Sequence, residues 1–399
     1  MNVRELKSLL KSKLPSKQIN LLRLGKNVLK NPTKINIKRE LNKYQYNKNK
    51  LRVTEIDYVP SVFSATIVDS CNLRCPNCFY LLENSNRFFN SHLSAEKFEE
   101  ILKKYNKKSK AEIMFLTGGE PLIHPEFGKL VKISKKYNMI PRAVSNGILI
   151  MNNPSSLMDL DYINISMDSY DYDTFKKFRG GTKRQFDRIL EGLNFLKESN
   201  INFSLSYVLS SENIFEIEKM IEFSEYLMPR FVYFHNINPH GSNKFKSLSG
   251  QDENSMKHLA KVLKRNDYTI DIYTTHIFNE KSSHFVEAKC TQPWNYFCFN
   301  SKGNVALCCH LNHDVKNGNV FDNYNFNSPE MIKWRKKIMS NKIEDCCLYC
   351  HRRFMDEQEF AYFDSVKGKW TFSEDGQVII KSLQRIIADN YKNQTHIHL

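Results

Sequence analysis

Between residues 61 and 245 the chain alternates short β-branched runs with stretches of helical spacing, and this restricts the fold more than any other feature. Strands joined through helices pair in parallel and bury both faces of their sheet. Candidate strands are Phe63–Val68, Glu112–Leu116, Pro141–Val144, Tyr162–Ser166, Asn202–Leu209 and Phe231–His235. Helices fit between them at 95–105, 126–138, 184–199 and 213–227. The reading is an α/β fold on a parallel sheet. Six units fall short of the eight that close a (β/α)8 barrel. A helix and a further strand are expected at 250–275, then a cysteine-rich region and a charged, His-ended tail.

Directly after the first candidate strand comes Ser70-Cys-Asn-Leu-Arg-Cys-Pro-Asn-Cys-Phe79, a C-x3-C-x2-C loop carrying Cys71, Cys75 and Cys78. Three thiolates on one short loop hold three corners of a [4Fe–4S] cubane and leave the fourth iron open to a small molecule. A zinc site is the alternative, although zinc usually draws on two paired C-x2-C units. The loop resembles the signature of the radical S-adenosylmethionine (SAM) enzymes. That resemblance implies an open, partial (β/α)6 barrel with its active site at the C-terminal strand ends. It also implies that the open iron chelates the amino and carboxylate groups of SAM, whose reductive cleavage gives a 5′-deoxyadenosyl radical that abstracts hydrogen from substrate. One departure is visible: the family often has an aromatic residue before the third cysteine, where this chain has Asn77. Phe79 and Tyr80 follow instead, and Tyr80 is expected against the adenine.

Leu116-Thr-Gly-Gly-Glu-Pro121 ends the second candidate strand. Paired glycines let backbone approach a ligand closely, and Glu120 adds a charge suited to the methionine ammonium. The segment resembles the family's GGEP motif, which assigns Gly118, Gly119, Glu120 and Pro121 to SAM. Ser145-Asn146-Gly147 follows the third strand and Ser166-Met167-Asp168 the fourth. Carried over from the family, Ser145, Asn146, Ser166 and Asp168 are expected near the ribose; ordinary turn and cap chemistry is the alternative. Arg179-Gly180-Gly181 is a candidate contact to cofactor carboxylate or substrate.

Seven further cysteines lie at 290, 298, 308, 309, 346, 347 and 350. Cys290 through Gly303 to Cys308 gives C-x12-G-x4-C, and Cys347-Leu-Tyr-Cys350 gives C-x2-C. This resembles the SPASM or shorter Twitch auxiliary-cluster domain of radical SAM proteins. Gly303 is expected to turn a β-hairpin that places Cys290 and Cys308 on adjacent strands. Cys290, Cys308, Cys347 and Cys350 would then complete a second, four-thiolate [4Fe–4S] site. Structural zinc is the alternative for these four, and Cys298, Cys309 and Cys346 read as buried apolar thiols.

The 399 residues carry a net charge of +16, and residues 1–50 hold 14 Lys or Arg against Glu5 and Glu40, so the rest is close to neutral. A basic arm is therefore expected rather than a nucleic-acid surface. Its leucines at helical spacing suit either packing on the body or contact with an anionic membrane. Uneven cysteine spacing, with no apolar span or signal-peptide pattern, fits a reducing cytoplasm, with peripheral membrane contact through the arm. The expected division is 1–55 arm, 56–245 barrel, 246–285 extension, 286–365 auxiliary-cluster domain and 366–399 tail.

A fully ligated second cluster suits an electron acceptor, so the resemblance implies an oxidoreductase served by a donor such as flavodoxin or ferredoxin. Candidate bases are Asp271, Tyr273 and His276, with His235 and His240 as others. Peptide-modifying relatives often carry an N-terminal peptide-recognition domain, and no such pattern precedes this barrel. That favours a sugar, aminocyclitol or membrane-linked glycan or lipid headgroup over a peptide. A non-catalytic binding protein that keeps the fold is the remaining alternative.

Overall fold

The computed structural model describes residues 33–78, 91–106, 110–237, 245–248, 252–274, 290–309, 311, 313–342, 347, 350 and 361–372. The six expected strands are present as β1 (Val62–Val68), β2 (Ile113–Gly118), β3 (Ile140–Ser145), β4 (Tyr162–Ser166), β5 (Phe203–Leu209) and β6 (Phe231–Asn236). They run parallel and in sequence order. On one face the strands set Phe63, Ala65, Ile67, Met114, Leu116, Ile163, Ile165, Leu205 and Phe234, all fully buried beneath the helices. The alternate positions mix Ser64, Thr66, Thr117, Asn164, Ser166, Ser204 and Ser206 with apolar Phe115, Val144, Val208 and Phe231, so the other face is partly polar.

Two more parallel strands come from chain beyond residue 245. β7 (Ile272–Thr274) continues the sheet past β6, and β8 (Tyr296–Asn300) returns to pair with β1. The parallel set is therefore eight strands wide: β7 is the further strand expected at 250–275, and β8 lies beyond the expected set. β9 (Asn304–Ala306) and β10 (Asp314–Asn319) extend the β8 edge, and β11 (Ala361–Asp364) with β12 (Lys369–Phe372) extends the β7 edge. The sheet thus crosses the boundary expected at 286.

Helices α1 (Lys34–Asn49), α2 (Ala95–Tyr105), α3 (Phe127–Lys136), α4 (Tyr172–Arg179), α5 (Lys183–Glu198), α6 (Ile217–Leu227), α7 (Glu253–Lys264), α8 (Gln292–Asn295) and α9 (Pro329–Met339) complete the described elements. Local chemistry sets their ends. Ser94 caps α2 by accepting from Lys97 N–H, and Thr182 with Gln185 forms a capping box on α5. Gly180, at φ +68°, ends α4 in the left-handed conformation.

Helix α1 shows where part of the basic arm goes. Its buried residues are Glu40, Asn42 and Tyr46 rather than an apolar stripe. Asn42 clamps Val59, accepting from its N–H at 3.1 Å and donating to its carbonyl at 2.6 Å. Residues 34–49 therefore pack on the body; residues 1–32 lie outside the described set. A second core gathers Tyr46, Ile56, Tyr58, Trp294, Trp334 and Ile338, with Cys290 and Cys347 packed against it. The buried Arg335 guanidinium donates there to Pro293 O at 3.0 Å and to Thr54 O and Asn327 Oδ1 at 2.9 Å. No helix among the described residues is long and apolar enough to cross a membrane.

Candidate active site

The cysteine loop leaves the C-terminal end of β1 and is stapled to the end of β2. Gly119 N–H donates to Val68 O at 3.0 Å and Glu120 N–H to Ser70 O at 2.8 Å. This approach requires a missing side chain: a Cβ on Gly119 would lie 2.2 Å from Ser70 O and 3.0 Å from Cys71 Cβ. Within the loop, Arg74 donates to Cys71 O at 2.7 Å and Cys78 N–H to Cys75 O at 3.1 Å. Asn146, at the end of β3, donates to Asn72 Oδ1 at 2.7 Å and reaches Cys71 Sγ at 3.8 Å.

These ends surround a cavity of about 480 Å3 lined by Cys71, Cys75 and Cys78, with Gly118, Gly119, Ser145, Asn146, Ser166, Asp168 and Arg179. Its other wall is Asn164, Ser206, Val208, His235, Asn236 and Ile237. Eight of the residues expected to contact SAM or the cluster loop's partners therefore meet the three thiols, as members of one cavity or directly beneath it.

Glu120 is the one beneath. It is fully buried, and its Oε1 accepts from Ser145 Oγ at 2.7 Å and Leu122 N–H at 3.0 Å, while Oε2 accepts from Asn146 N–H at 2.7 Å. Burial pushes its carboxyl up, and these donors pull it back. Glu120 clamps the ends of β2 and β3 together from beneath the cavity. Pro121, also buried, starts the short helical turn that Glu120 caps.

Asp168 sits in the wall, accepting from Val208 N–H at 2.8 Å and from Arg179 Nη1 at 2.9 Å. Burial opposes the Arg179 charge, but the neighbouring Cys75 and Asp168 outweigh it and hold the guanidinium protonated. Its Nε is buried with no hydrogen-bond partner among the described residues. Burial raises the thiols of Cys71 and Cys75, the latter to about 11, so their thiolate form calls for a bound cation.

Two of the catalytic-base candidates, Asp271 and Tyr273, are not brought to the thiols. Asp271 lies at the N-terminal end of β7, opposite the cavity, and accepts from Tyr362 OH at 3.0 Å, Ser365 N–H at 2.9 Å and Ser365 Oγ at 2.8 Å. Tyr273 stacks on Tyr362 with ring centroids 4.5 Å apart. Neither lines the cavity: Asp271 precedes β7, and Tyr273 is the middle residue of this three-residue strand. His235 does line it; His276, His240, Phe79 and Tyr80 lie outside the described residues. Asn164 and Ser206 were not singled out, yet they are polar residues at alternate positions of otherwise apolar strands, a readable sign of a polar lumen.

The hairpin at Gly303 forms, at φ +81°, but its strands are β8 and β9. Cys298, not Cys290, stands on β8 opposite Ala306, buried as an apolar thiol. Cys290 precedes α8 and Cys308 follows β9. Cys309 is exposed rather than buried as expected, because it lies in the turn after β9; Cys350 is buried, and Cys346 lies outside the described residues.

Among the described residues no three His, Cys, Asp or Glu converge on one point as a single metal ion needs. A cubane makes a different demand, binding each thiolate to a separate iron. The donor set at the β1 loop fits such a cluster: three soft ligands around a cavity, with an underused guanidinium for a carboxylate. Fold and site together are a mostly parallel α/β sheet whose C-terminal strand ends gather three thiols and a largely buried guanidinium around one cavity.

Residues 66–224 match the Radical SAM superfamily model, and the chain carries a radical SAM domain, with the [4Fe–4S] cluster and SAM that this family implies. A probable GTP 3′,8-cyclase of Saccharolobus solfataricus is 27% identical over 183 residues, 45% of this chain and 58% of that protein. The GTP 3′,8-cyclase of Petrotoga mobilis is 31% identical over 154 residues, 37% of this chain and 45% of that one. The chain thus spans about half the length of the curated relatives it matches. Streptococcus suis SuiB bound to S-adenosylmethionine shares the fold at TM-score 0.56 and 16% identity, covering 88% of this chain and 83% of its own. The peptide-free anSMEcpe with bound AdoMet does so at TM-score 0.56 and 18% identity, covering 82% and 98%.

Proposed function

We propose that this chain oxidises an uncharged polar substrate by two electrons, with hydrogen removal at the β1-loop site and a second [4Fe–4S] cluster as electron acceptor. The observation that carries this reading is the cavity's composition. Three thiols share it with the polar side chains of Asn164, Ser206, His235 and Asn236, and among the described lining residues the ion pair is Asp168–Arg179. When bound, the cluster and SAM supply one electron and a 5′-deoxyadenosyl radical that removes a hydrogen atom from carbon.

The residues divide that work. Cys71, Cys75 and Cys78 hold the cluster, and Gly118 and Gly119 offer backbone at close approach. The Nε of Arg179 supports the cofactor carboxylate, while Ser145, Asn146, Ser166 and Asp168 face the nucleoside. Asn164 and Ser206 bind substrate hydroxyls or amides, and His235 accepts the proton released as the substrate radical loses its electron. Cys290, Cys308, Cys347 and Cys350 hold the acceptor. Dehydrogenation of a sugar, an aminocyclitol or a membrane-linked glycan or lipid headgroup fits this scheme.

A peptide is the second reading, supported by the fold shared with SuiB, which has been described bound to its precursor peptide SuiA. A nucleoside triphosphate fits less well. Several phosphates need several cations, and among the described lining residues Arg179 is the one Lys or Arg, already paired with Asp168.

Anaerobic reconstitution followed by iron and sulfide analysis tests the two-cluster scheme. About eight irons are expected, falling to about four when Cys290, Cys308, Cys347 and Cys350 are all changed to Ala, as the ligand counts require. About four irons in both proteins, with zinc lost from the variant, would overturn the acceptor role.

A further inference from the structure

We infer that the rim where α4 meets α5 is the docking surface for an acidic one-electron carrier protein, an inference that rests on the radical SAM reading above. Reductive cleavage consumes an electron that must enter from outside the chain. The cysteine loop is covered thinly on that side. Gly180 is exposed, and a Cβ on it would lie 2.8 Å from Arg74 O and 3.7 Å from Pro76 Cδ, so its backbone abuts the segment that flanks Cys75. A Cβ on Gly181 would lie 2.2 Å from the Phe175 ring and 3.1 Å from Leu73 Cδ2. Gln185, on the first turn of α5, donates through its side chain to Asn72 O at 3.0 Å. The rim is thus attached to the loop at three points, the Gly180 backbone against Arg74 O, Gly181 against Leu73 and the Gln185 amide on Asn72.

Charge marks the same rim. Arg74, Lys176, Lys177, Lys183 and Arg184 are all exposed around Gly180. Lys177 pairs with Glu212 at 2.9 Å and Lys183 with Asp187. Among the described residues Lys176 and Arg184 make no ion pair, and Asp173 is the exposed acid left nearby. Helix α5 opens with Lys183 and Arg184 and has no acid in its first turn. A helix N-terminus disfavours positive charge, so folding alone does not account for cations at that place. A protein that bears acidic residues around a redox centre complements this surface, which would speed encounter and orient the partner toward Cys75.

The test uses the reconstituted holoprotein and an FMN-bearing flavodoxin as the probe. Binding by interferometry and cluster reduction by stopped flow are compared for wild type, K176E/R184E and R184E alone. R184E places an acid where the helix dipole favours it, so it keeps the test open should the double variant misfold. A control, K261E/K264E, reverses charge at the far end of α7. The expected result is a tenfold or greater loss of flavodoxin affinity and reduction rate in K176E/R184E, a smaller loss in R184E, and none in the control. The difference should collapse at about 0.5 M salt as screening shortens the range of these charges.

Wild-type affinity in both rim variants, or an equal loss in the control, would overturn the assignment. So would rim-dependent retention of RNA or anionic vesicles without flavodoxin binding. Dithionite separates the two levels of inference. If it drives SAM cleavage equally in wild type and rim variants, the enzyme reading stands and flavodoxin binding alone decides the docking surface. If it drives none in wild type, the enzyme reading itself has failed.

Discussion

Replacing Glu120 by Ala distinguishes a clamp from a ligand contact. The carboxylate is fully buried and takes three hydrogen bonds, from Ser145 Oγ, Asn146 N–H and Leu122 N–H. Alanine leaves the Asn146 and Leu122 amides without acceptors, each costing about 1–3 kcal/mol when buried. The Ser145 hydroxyl loses its acceptor too but still receives Gly147 N–H at 3.0 Å. The two amides sum to about 2–6 kcal/mol, and the loss falls in the lower half of that range because Leu122 is partly exposed and water can recover some of its share. Gln is informative because the two carboxylate oxygens do different jobs. Its carbonyl keeps the Ser145 and Leu122 bonds, while its NH2 faces the Asn146 N–H donor, for a loss of about 1–2 kcal/mol. Urea unfolding of the apoprotein measures both variants, and SAM binding to the reconstituted protein follows. The order wild type, Gln, Ala in stability is the expected outcome. An Ala variant within about 0.5 kcal/mol of wild type that nonetheless fails to bind SAM would refute the clamp and make Glu120 a direct ligand contact.

Three further outcomes follow from single positions. Gly119→Ala puts a methyl 2.2 Å from Ser70 O, so the cysteine loop must shift, and iron retained after reconstitution should fall to less than half of wild type. Asp271→Asn should weaken the docking of the β11–β12 hairpin, seen as faster proteolysis there. It should leave 5′-deoxyadenosine formation within about twofold, since the usual cost of such a lost bond is about 1 kcal/mol of stability. Buried His124 accepts Glu126 N–H on Nδ1 and contacts Leu93 O through Nε2 at 2.8 Å, with the His92 ring 5.2 Å away; burial depresses its pKa. The unfolded state then binds the proton more readily, so stability is full above about pH 6.5 and declines below it; in His124→Gln that part of the decline, measured by urea unfolding across pH, should disappear.

The sequence made the site more legible than the frame around it. Strand ends carry short, distinctive strings, and Cys71–Cys78, Gly118–Pro121, Ser145–Asn146 and Ser166–Asp168 meet because parallel strands in sequence order bring their C-terminal ends to one rim. Glu120 was readable as a site residue but not as a clamp, since its role depends on Asn146, 26 positions away. The sheet's width was legible only in part. β7, three residues long, falls where a further strand is expected, but β8 begins with the Tyr-Phe-Cys run behind a four-residue helix and lacks the length and alternation of a strand signal. Their pairing with β6 and β1 is decided by tertiary packing. Helix α1 was missed for a related reason: its buried face is Glu40, Asn42 and Tyr46, and hydrophobic periodicity cannot find a polar face.

The most direct test of the account is SAM cleavage by the anaerobically reconstituted chain under dithionite, with 5′-deoxyadenosine measured by chromatography. Wild type should form it, and the C71A/C75A/C78A variant should form none while keeping the fold. Absence of 5′-deoxyadenosine from a wild type that holds its iron at the β1 loop would contradict the account, and would leave a metal-binding protein that retains the barrel without its chemistry.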